Sequence, residues 1–349
     1  MATHWKYLPI LKWKQGERIA LQHLTSAQWD ALVPLIELPP IVATPDAAGL
    51  RAVLPAYLAK LASELKKTFP EGATFAIDVR YVAPAYKRQV QLLQVICTQL
   101  AKLSERKIIP VITQSMLIQQ PQDLGDLKTF PEVVLRIITG FTQADTIDEM
   151  VKLLAKEGLT RSRLHLLIDQ FSIVNEASAA RVALVKPYLD AALAVNVAST
   201  TLAGGAFPIN LMGMGQGVKD LPRVEWQIWK ILRKDAKYKM IRYSDYTVSN
   251  PAPVPDMDPK MVNPSVAIRY AADGFWRLFK AGGFKKGKPN QYKNLCLLLL
   301  GDAIYSGAAF SFGDACYDKA ANAKLGNGNP SSWRRDATSH HLVLTAAAL

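Results

Sequence analysis

Cysteine is scarce in this chain. Cys97, Cys296 and Cys316 are the only three, they are scattered, and they form neither a CxxC pair nor a zinc-type spacing. That excludes a disulfide scaffold and a cysteine-held structural zinc site. Cys97 and Cys296 fall in apolar helical patterns and read as buried thiols. Long hydrophobic runs are lacking too. Leu295 to Leu300, the longest apolar run near the end, is far too short to cross a bilayer. The opening residues, Met1 to Lys6, show no basic start, apolar stretch and small-residue cleavage site. The expectation is a cytoplasmic protein that does not engage a membrane. No HxH or HExxH spacing supports zinc, no GxGxxG follows the first apolar run, and no GK[ST] completes a P-loop. There is no short repeat and no low-complexity tract.

Acidic residues are also in deficit. There are 29 Asp and Glu against 42 Lys and Arg, a formal net charge of +13. Such a field attracts polyanions, so nucleic acid, a nucleotide or an acidic partner protein all fit. A basic surface that binds nothing fits as well. The basic residues are spread along the chain, except for the Gly-punctuated loop Phe284-Lys285-Lys286-Gly287-Lys288.

What is present is ordinary folded-protein composition, half hydrophobic and a fifth charged. The 349 residues suit one barrel-sized domain with extra loops. Short apolar, β-rich runs alternate with longer segments of helical period, which is the mark of βα units around a parallel sheet. The runs are 7–11, 33–37, 74–78, 108–113, 133–137, 164–169, 195–202, 240–245 and 265–270. Nearly all are apolar throughout, as strands buried on both faces are. Helical spacing marks 50–68, 86–103, 146–157 and 177–195. Asp220-Leu221-Pro222 reads as a capped start to a helix through Trp226, Trp229 and Leu232.

These elements predict a (β/α)8 TIM-barrel-like fold. Nine runs exceed eight, so Tyr7–Leu11 is expected to be an added strand or lid. An open doubly wound sheet is the rival. Ser249 to Pro255 is a proline-rich extended connection. After Tyr270 the alternation fades. Trp276 to Lys280 and Gln291 to Leu300 read as helices, followed by a polar Gly- and Asn-rich tail. Residues 271–349 are expected to form a C-terminal extension packed over the barrel mouth.

The informative feature is where charge falls. Glu37, Asp78, Asp169 and Asp245 each close an apolar run, and Arg136 and Arg269 lie near the ends of two others. The C-terminal strand ends of a barrel form its active-site floor. Buried charge is costly unless paired, so several strands bearing it together points to convergence on one pocket. Such a set could do acid/base work, clamp an anion or hold a divalent metal. The carboxylates suit magnesium or manganese, while the neighbouring arginines argue partly against a metal. The plainer reading is a set of ion pairs stapling the barrel top, with Arg136 to Asp169 on adjacent strands as one staple.

Other features are weaker. His165 shares a strand face with Leu167 and Asp169 and reads as a satisfied core residue. His340-His341 could fold back over the mouth as acid/base groups or phosphate contacts, or be an idle surface pair. Gly204-Gly205 with Gly213, Gly215 and Gly217 precede the Asp220 segment. A glycine-rich loop before a helix can cradle phosphate, but a tightly turning connection is the simpler reading. Trp226 and Trp229, flanked by Arg223 and Lys230, have helical spacing and read as core.

Several motifs taken together resemble a known group. They are Leu8-Pro9-Ile10-Leu11-Lys12, Gly16-Glu17, Ala20-Leu21, Pro34-Leu35-Ile36-Glu37, Leu135-Arg136, Ile168-Asp169, Phe312-Gly313-Asp314, Trp333-Arg334-Arg335 and His340-His341. Across nearly the whole chain this is similar to the phage and bacterial group called beta family protein, after a phage T4 beta protein. The resemblance implies a phage or phage-defence setting and names no activity. Its motif positions here are Glu37, Asp78, Arg136, Asp169, Asp314, Trp333, Arg334 and His341, which implies that the tail belongs to the site.

The expectation is therefore an enzyme or effector that acts on a phosphate-bearing substrate. Glu37, Asp78, Asp169, Asp245 and His341 would carry the chemistry, and Arg136, Arg269, Arg334 and Trp333 would hold the substrate. A hydrolase of phosphodiesterase type is the enzyme class such a set would suit. The alternative is a non-catalytic sensor or adaptor that takes a ligand, or a phage or host protein, in the barrel mouth. A structural phage component would need a self-association surface, and no heptad pattern supplies one.

Overall fold

The computed structural model of the chain describes residues 5–41, 46–119, 124–253, 263–285 and 290–349. Eight parallel strands close into a barrel. They are β1 (Tyr7–Leu11), β2 (Leu35–Glu37), β3 (Thr74–Asp78), β4 (Lys107–Thr113), β5 (Val133–Ile138), β6 (Leu164–Ser172), β7 (Ser199–Gly205) and β9 (Arg242–Asp245). Three more strands form a separate antiparallel sheet in the order β10 (Ser265–Ala271), β11 (Phe275–Gly283), β8 (Gly217–Pro222).

The expected elements need four corrections. Tyr7–Leu11 is neither added strand nor lid, because it pairs with both β2 and β9 and closes the barrel. The strand outside the barrel is β10. Only Ala272-Asp273-Gly274 separate it from β11, with Gly274 at φ +86°. A connection that short can join only antiparallel strands. Trp276 to Lys280 lies within β11 and is not helical. In that strand Trp276 and Leu278 are buried while Phe275 and Arg277 are half-buried, a period of two. Asp220 caps no helix. It stands in β8 directly opposite Arg277 and accepts from its Nε and Nη2, both at 2.8 Å.

The helices are α1 (Gln15–Gln22), α2 (Ser26–Ala31), α3 (Ala47–Thr68), α4 (Gln89–Ser104), α5 (Gln114–Gln119), α6 (Thr146–Lys156), α7 (Ser178–Ala194), α8 (Val224–Leu232), α9 (Gln291–Leu300), α10 (Phe312–Ala321) and α11 (Pro330–Ala348). The expected polar tail thus contains α10 and, at its end, α11. Asn329 caps it by accepting from the backbone N–H of Ser331 and Ser332, and Pro330 sits in its first turn. This helix escaped hydrophobic pattern reading because its buried side holds Thr338, Ser339, His340 and His341.

Helix α11 packs against α1 and β1 and reaches β9 through His341, so it takes the eighth helix position of the barrel. Glycine permits the close approach. A Cβ on Gly16 would lie 2.6 Å from the Ser331 carbonyl oxygen, and one on Gly313 in α10 would lie 2.0 Å from that of Asp336. β10, β11, α9 and α10 are therefore an insertion between the last barrel strand and its helix.

Both faces of the barrel wall are buried. One apolar cluster lies between strands and helices. A second fills the interior, with Leu8, Ile10, Leu35, Ala76, Val111, Val134, Leu167 and Ala203 among its members. Among the described residues no helix is long and apolar enough to cross a membrane. Lys286, Gly287 and Lys288 of the basic loop, and Val254 and Pro255 of the proline-rich connection, lie outside the described residues.

Candidate functional site

Side chains alternate along a strand, so the interior residues continue in steps of two. Leu35 leads to Glu37, Ala76 to Asp78, Val134 to Arg136, and Leu167 to Asp169. All four charged groups therefore point into the barrel, one layer above the apolar interior, and all are buried. Arg136 stands at the centre. Its Nη1 donates to Glu37 Oε1 at 3.0 Å and to Asp78 Oδ2 at 2.6 Å. Its Nε and Nη2 donate to Asp169 Oδ2 at 3.0 and 2.6 Å. Tyr246 Oη gives Asp169 Oδ2 a further bond at 2.6 Å and also contacts Arg136 Nη2.

Two residues in this layer were not anticipated. Arg80 bonds Glu37 Oε1 through Nη2, and its guanidinium lies over the rings of Tyr81 and Phe171. Tyr246 follows the end of β9. Both obey the step of two, as Asp78 plus two and Ser244 plus two, so parity was the signal that could have found them. The layer holds three carboxylates against two guanidiniums. Burial works against the Asp169 anion, but Arg136 and Arg80 outweigh it and hold the carboxyl below its usual range. Glu37 Oε2 is buried with no hydrogen-bond partner among the described residues.

Asp245 and His341 do not join this layer. Asp245 is one residue from Tyr246 and faces the other side of the wall, between β1, β9 and α11. It accepts from Tyr7 Oη at 2.6 Å and Tyr243 Oη at 3.0 Å, and meets His341 Nε2 at 2.7 Å. Arg223 Nη2 lies 3.6 Å away. Burial opposes ionisation of Asp245, yet His341 and Arg223 hold its carboxyl far below the usual range. Burial lowers the His341 imidazole despite Asp245. The expectation of one pocket for all the strand-end acids is corrected here, because Asp245 has the wrong parity.

Arg269, Arg334 and Trp333 meet at a third place. Arg269 belongs to β10, outside the barrel, and reaches back to donate to the Val248 carbonyl at 2.9 Å. Arg334, in the first turns of α11, donates to Ser249 Oγ at 3.0 Å. Both hold the loop that leaves β9. With Trp333 they line a cavity of about 120 Å³. Lys12 and Lys14, also unanticipated, extend this cation group from the end of β1. Burial lowers the Lys12 ammonium to about 8, with Glu37 and Glu17 opposing and Lys14 and Arg334 adding to the fall. Burial and then Arg334 lower Lys14. Among the described residues none of these four cations makes an ion pair within 4.0 Å.

Backbone conformation marks the same rim. Trp13 and Thr247 follow the ends of β1 and β9, and Phe171 lies in the irregular end of β6, with φ of 49°, 52° and 57°. Bulky and β-branched residues seldom occupy that region, and such outliers gather at functional sites.

The remaining candidates lie elsewhere. Asp314 is buried among Tyr270, Ser311 and His340, whose Nδ1 lies 2.9 Å from it. His165 is a satisfied residue of the barrel floor, between Ser199 Oγ and Glu132 Oε1 and against Trp5. The glycine-rich segment leads into strand β8, not a helix, which removes the phosphate-cradle geometry. Trp226 and Trp229 stack on each other in the core. A groove of about 800 Å³ opens at the N-terminal ends of the strands between Trp29, Phe69 and Arg106 and contains none of the candidate residues. Glu37, Asp78 and Asp169 are hard oxygen ligands, but each faces a guanidinium. No group of three or more His, Cys, Asp or Glu among the described residues could hold a metal ion.

Comparison with curated proteins and with solved structures returns no match. A family model described as Beta protein matches residues 7–346, from the first residue of β1 to within three residues of the C-terminal Leu349. That span takes in the barrel, the inserted sheet and α11, and the chain belongs to the Beta protein family.

Proposed function

We propose that this protein binds a phosphate-bearing substrate, a nucleotide or nucleic acid, at the C-terminal mouth of its barrel and hydrolyses it there. The observation that carries the reading is the gathering of Lys12, Lys14, Arg269 and Arg334 from three separate segments without an ion pair among the described residues. Positive charge concentrated in this way is balanced by a bound anion, and arginine forks match phosphate oxygens. The net charge of +13 favours the encounter.

Two groups suit the chemistry. Glu37 Oε2 is the carboxylate oxygen left unpartnered in the layer, and Lys12, at about 8, exchanges its proton near neutral pH. Water attacks phosphorus, Glu37 takes the water proton, and Lys12 gives one to the leaving oxygen. Arg80, the most exposed member of the layer at 13 % of its side chain, covers the way to Glu37. The phage or phage-defence setting that the resemblance implies, a cytoplasmic location and a protein partner belong to this proposal.

One observation favours a second reading. Arg136, Asp78 and Asp169 are buried and engage one another fully, as a staple under a sensor or adaptor would. A thermal-shift screen against nucleotides, short DNA and RNA, repeated on Arg334→Ala, tests the binding. Stabilisation of the wild type that the variant loses is the expected result. Phosphate release that Glu37→Gln abolishes would establish the hydrolase, and ligand binding without turnover would favour the sensor. No shift with any ligand would refute the phosphate site.

A further inference from the structure

The cavity between Arg269 and Arg334 is small. Its volume of about 120 Å³ is well under the roughly 300 Å³ at which pockets begin to enclose a whole organic ligand. It equals the share of about four waters at ~30 Å³ each, room for one tetrahedral anion and little more. Its other walls are mostly apolar, with Leu211, Pro264, Ala267, Pro330 and Trp333, and Ser265 is the uncharged polar residue among them. Trp333 is fixed there, stacked on Tyr292 and donating Nε1 to the Asn327 carbonyl at 2.9 Å. Apart from Ser265 these walls offer an anion few hydrogen bonds, so its oxygens turn chiefly to the two guanidiniums. Each guanidinium carries five N–H groups in a fork. Arg269 donates one to Val248 and Arg334 one to Ser249, which orients each fork and leaves N–H groups for a ligand.

We infer that this cavity receives a terminal phosphate, the end group of a mononucleotide or of a 5′-phosphorylated strand, rather than the internal phosphates of a strand running past it. The inference rests on the proposed phosphate site and narrows it. Charge supports it beside size. A terminal phosphate carries about −1.5 to −2 and three strong acceptor oxygens. An internal diester carries one charge and two free oxygens, a poorer match to the two guanidiniums that line the cavity with Lys12 and Lys14 near them. Shape agrees, because β10 closes one side of the cavity and α11 the other, and an internal phosphate needs an exit for chain on both sides.

The test compares ligands that differ only at the end group, by calorimetry on the full chain at fixed salt. The arms are inorganic phosphate, AMP against adenosine, and one short oligonucleotide carrying a 5′-phosphate against the same strand with a 5′-hydroxyl. The inference expects the phosphorylated member of each pair to bind at least ~10-fold tighter, about 1.4 kcal/mol, with competition by inorganic phosphate. AMP binding alone assigns a mononucleotide, and binding of the phosphorylated strand alone assigns a strand end. Equal binding of the two strands, tightening with length, would overturn the inference while the broader phosphate site survives. No binding in any arm would sink both. Arg334→Gln and, separately, Lys14→Gln should each remove most of the end-group preference. The wild-type pairs decide the matter even if a variant folds poorly.

Discussion

Asp245 and Tyr246 are adjacent in sequence and belong to different chemistries. Tyr246 faces inward to Asp169 and Arg136, while Asp245 faces outward to Tyr7, Tyr243 and His341. The inner cluster is organised by a guanidinium that touches three carboxylates. The outer one is organised by a carboxylate that gathers two hydroxyls and an imidazole. Removing the inner organiser leaves unpaired anions, whereas the outer carboxylate keeps other donors when one of its partners is removed. A strand end in a barrel thus says little about a residue's role until its parity is known.

The largest expected effect comes from the inner organiser. Arg136→Ala strands Glu37, Asp78 and Asp169 in a buried layer with only Arg80 beside them. Removing one partner of a buried ion pair costs about 3–5 kcal/mol, so urea denaturation should show a loss of that order or no folded protein. Arg136→Lys should not rescue it, because an ammonium cannot reproduce the forked contacts to Glu37, Asp78 and Asp169. His341→Ala should cost less, about 1–3 kcal/mol. The ring it removes is largely neutral, and Asp245 keeps Tyr7, Tyr243 and the Thr247 N–H at 3.0 Å. Equal losses for the two variants would break the comparison and mean that His341 is charged in the fold.

Seven of the eight barrel strands were legible as barrel members because each is an apolar run bounded by turns. Tyr7–Leu11 was legible as a strand, but a surplus of runs displaced it, and nothing in Ser265–Ala271 by itself says that its partner follows after three residues. Helix α11 was hidden because its buried side is polar. The inner acids and Arg136 were legible from position alone. Arg80, Lys12 and Tyr246 were legible only by extending parity past the strand ends. The cation group was out of reach, since Arg269 arrives from the inserted sheet and Arg334 from α11, and no sequence spacing brings them together.

The outer cluster should also show its own pH signature. Burial raises the Glu225 carboxyl to about 8, with Arg223 opposing and Asp245 adding. The unfolded value is about 4.3, so across that window the folded form holds a proton that the unfolded form lacks. Stability from Glu225 is fully present below ~4.3 and is lost as pH rises toward 8. His341 has the opposite sign. Its folded value is lowered, so its stability is present above the unfolded value near 6.5 and falls as pH drops below that. Asp169 inside behaves as a depressed acid, losing its contribution only as pH falls below ~3.9. Melting temperature should therefore decline from pH 6 to 8.5 in the wild type and decline less in Glu225→Gln. A slope unchanged by that substitution would place the alkaline sensitivity elsewhere.

The smallest expected effect tests whether the mouth cations form one electrostatic unit with the inner layer. Lys12 belongs to both groups, since Glu37 raises its ammonium while Lys14 and Arg334 lower it, with burial setting the overall fall to about 8. Arg334→Gln removes a repulsion and should move the Lys12 titration upward. Glu37→Gln removes the stronger, attractive influence and should move it downward by more. Side-chain NMR of Lys12 across pH 6 to 10 reads both shifts. Opposite signs mean that Lys12 senses the inner layer and the rim cations together. A Lys12 unmoved by Arg334→Gln would mean the rim cations act singly, and the summed positive charge that favours a bound anion there would lose its basis.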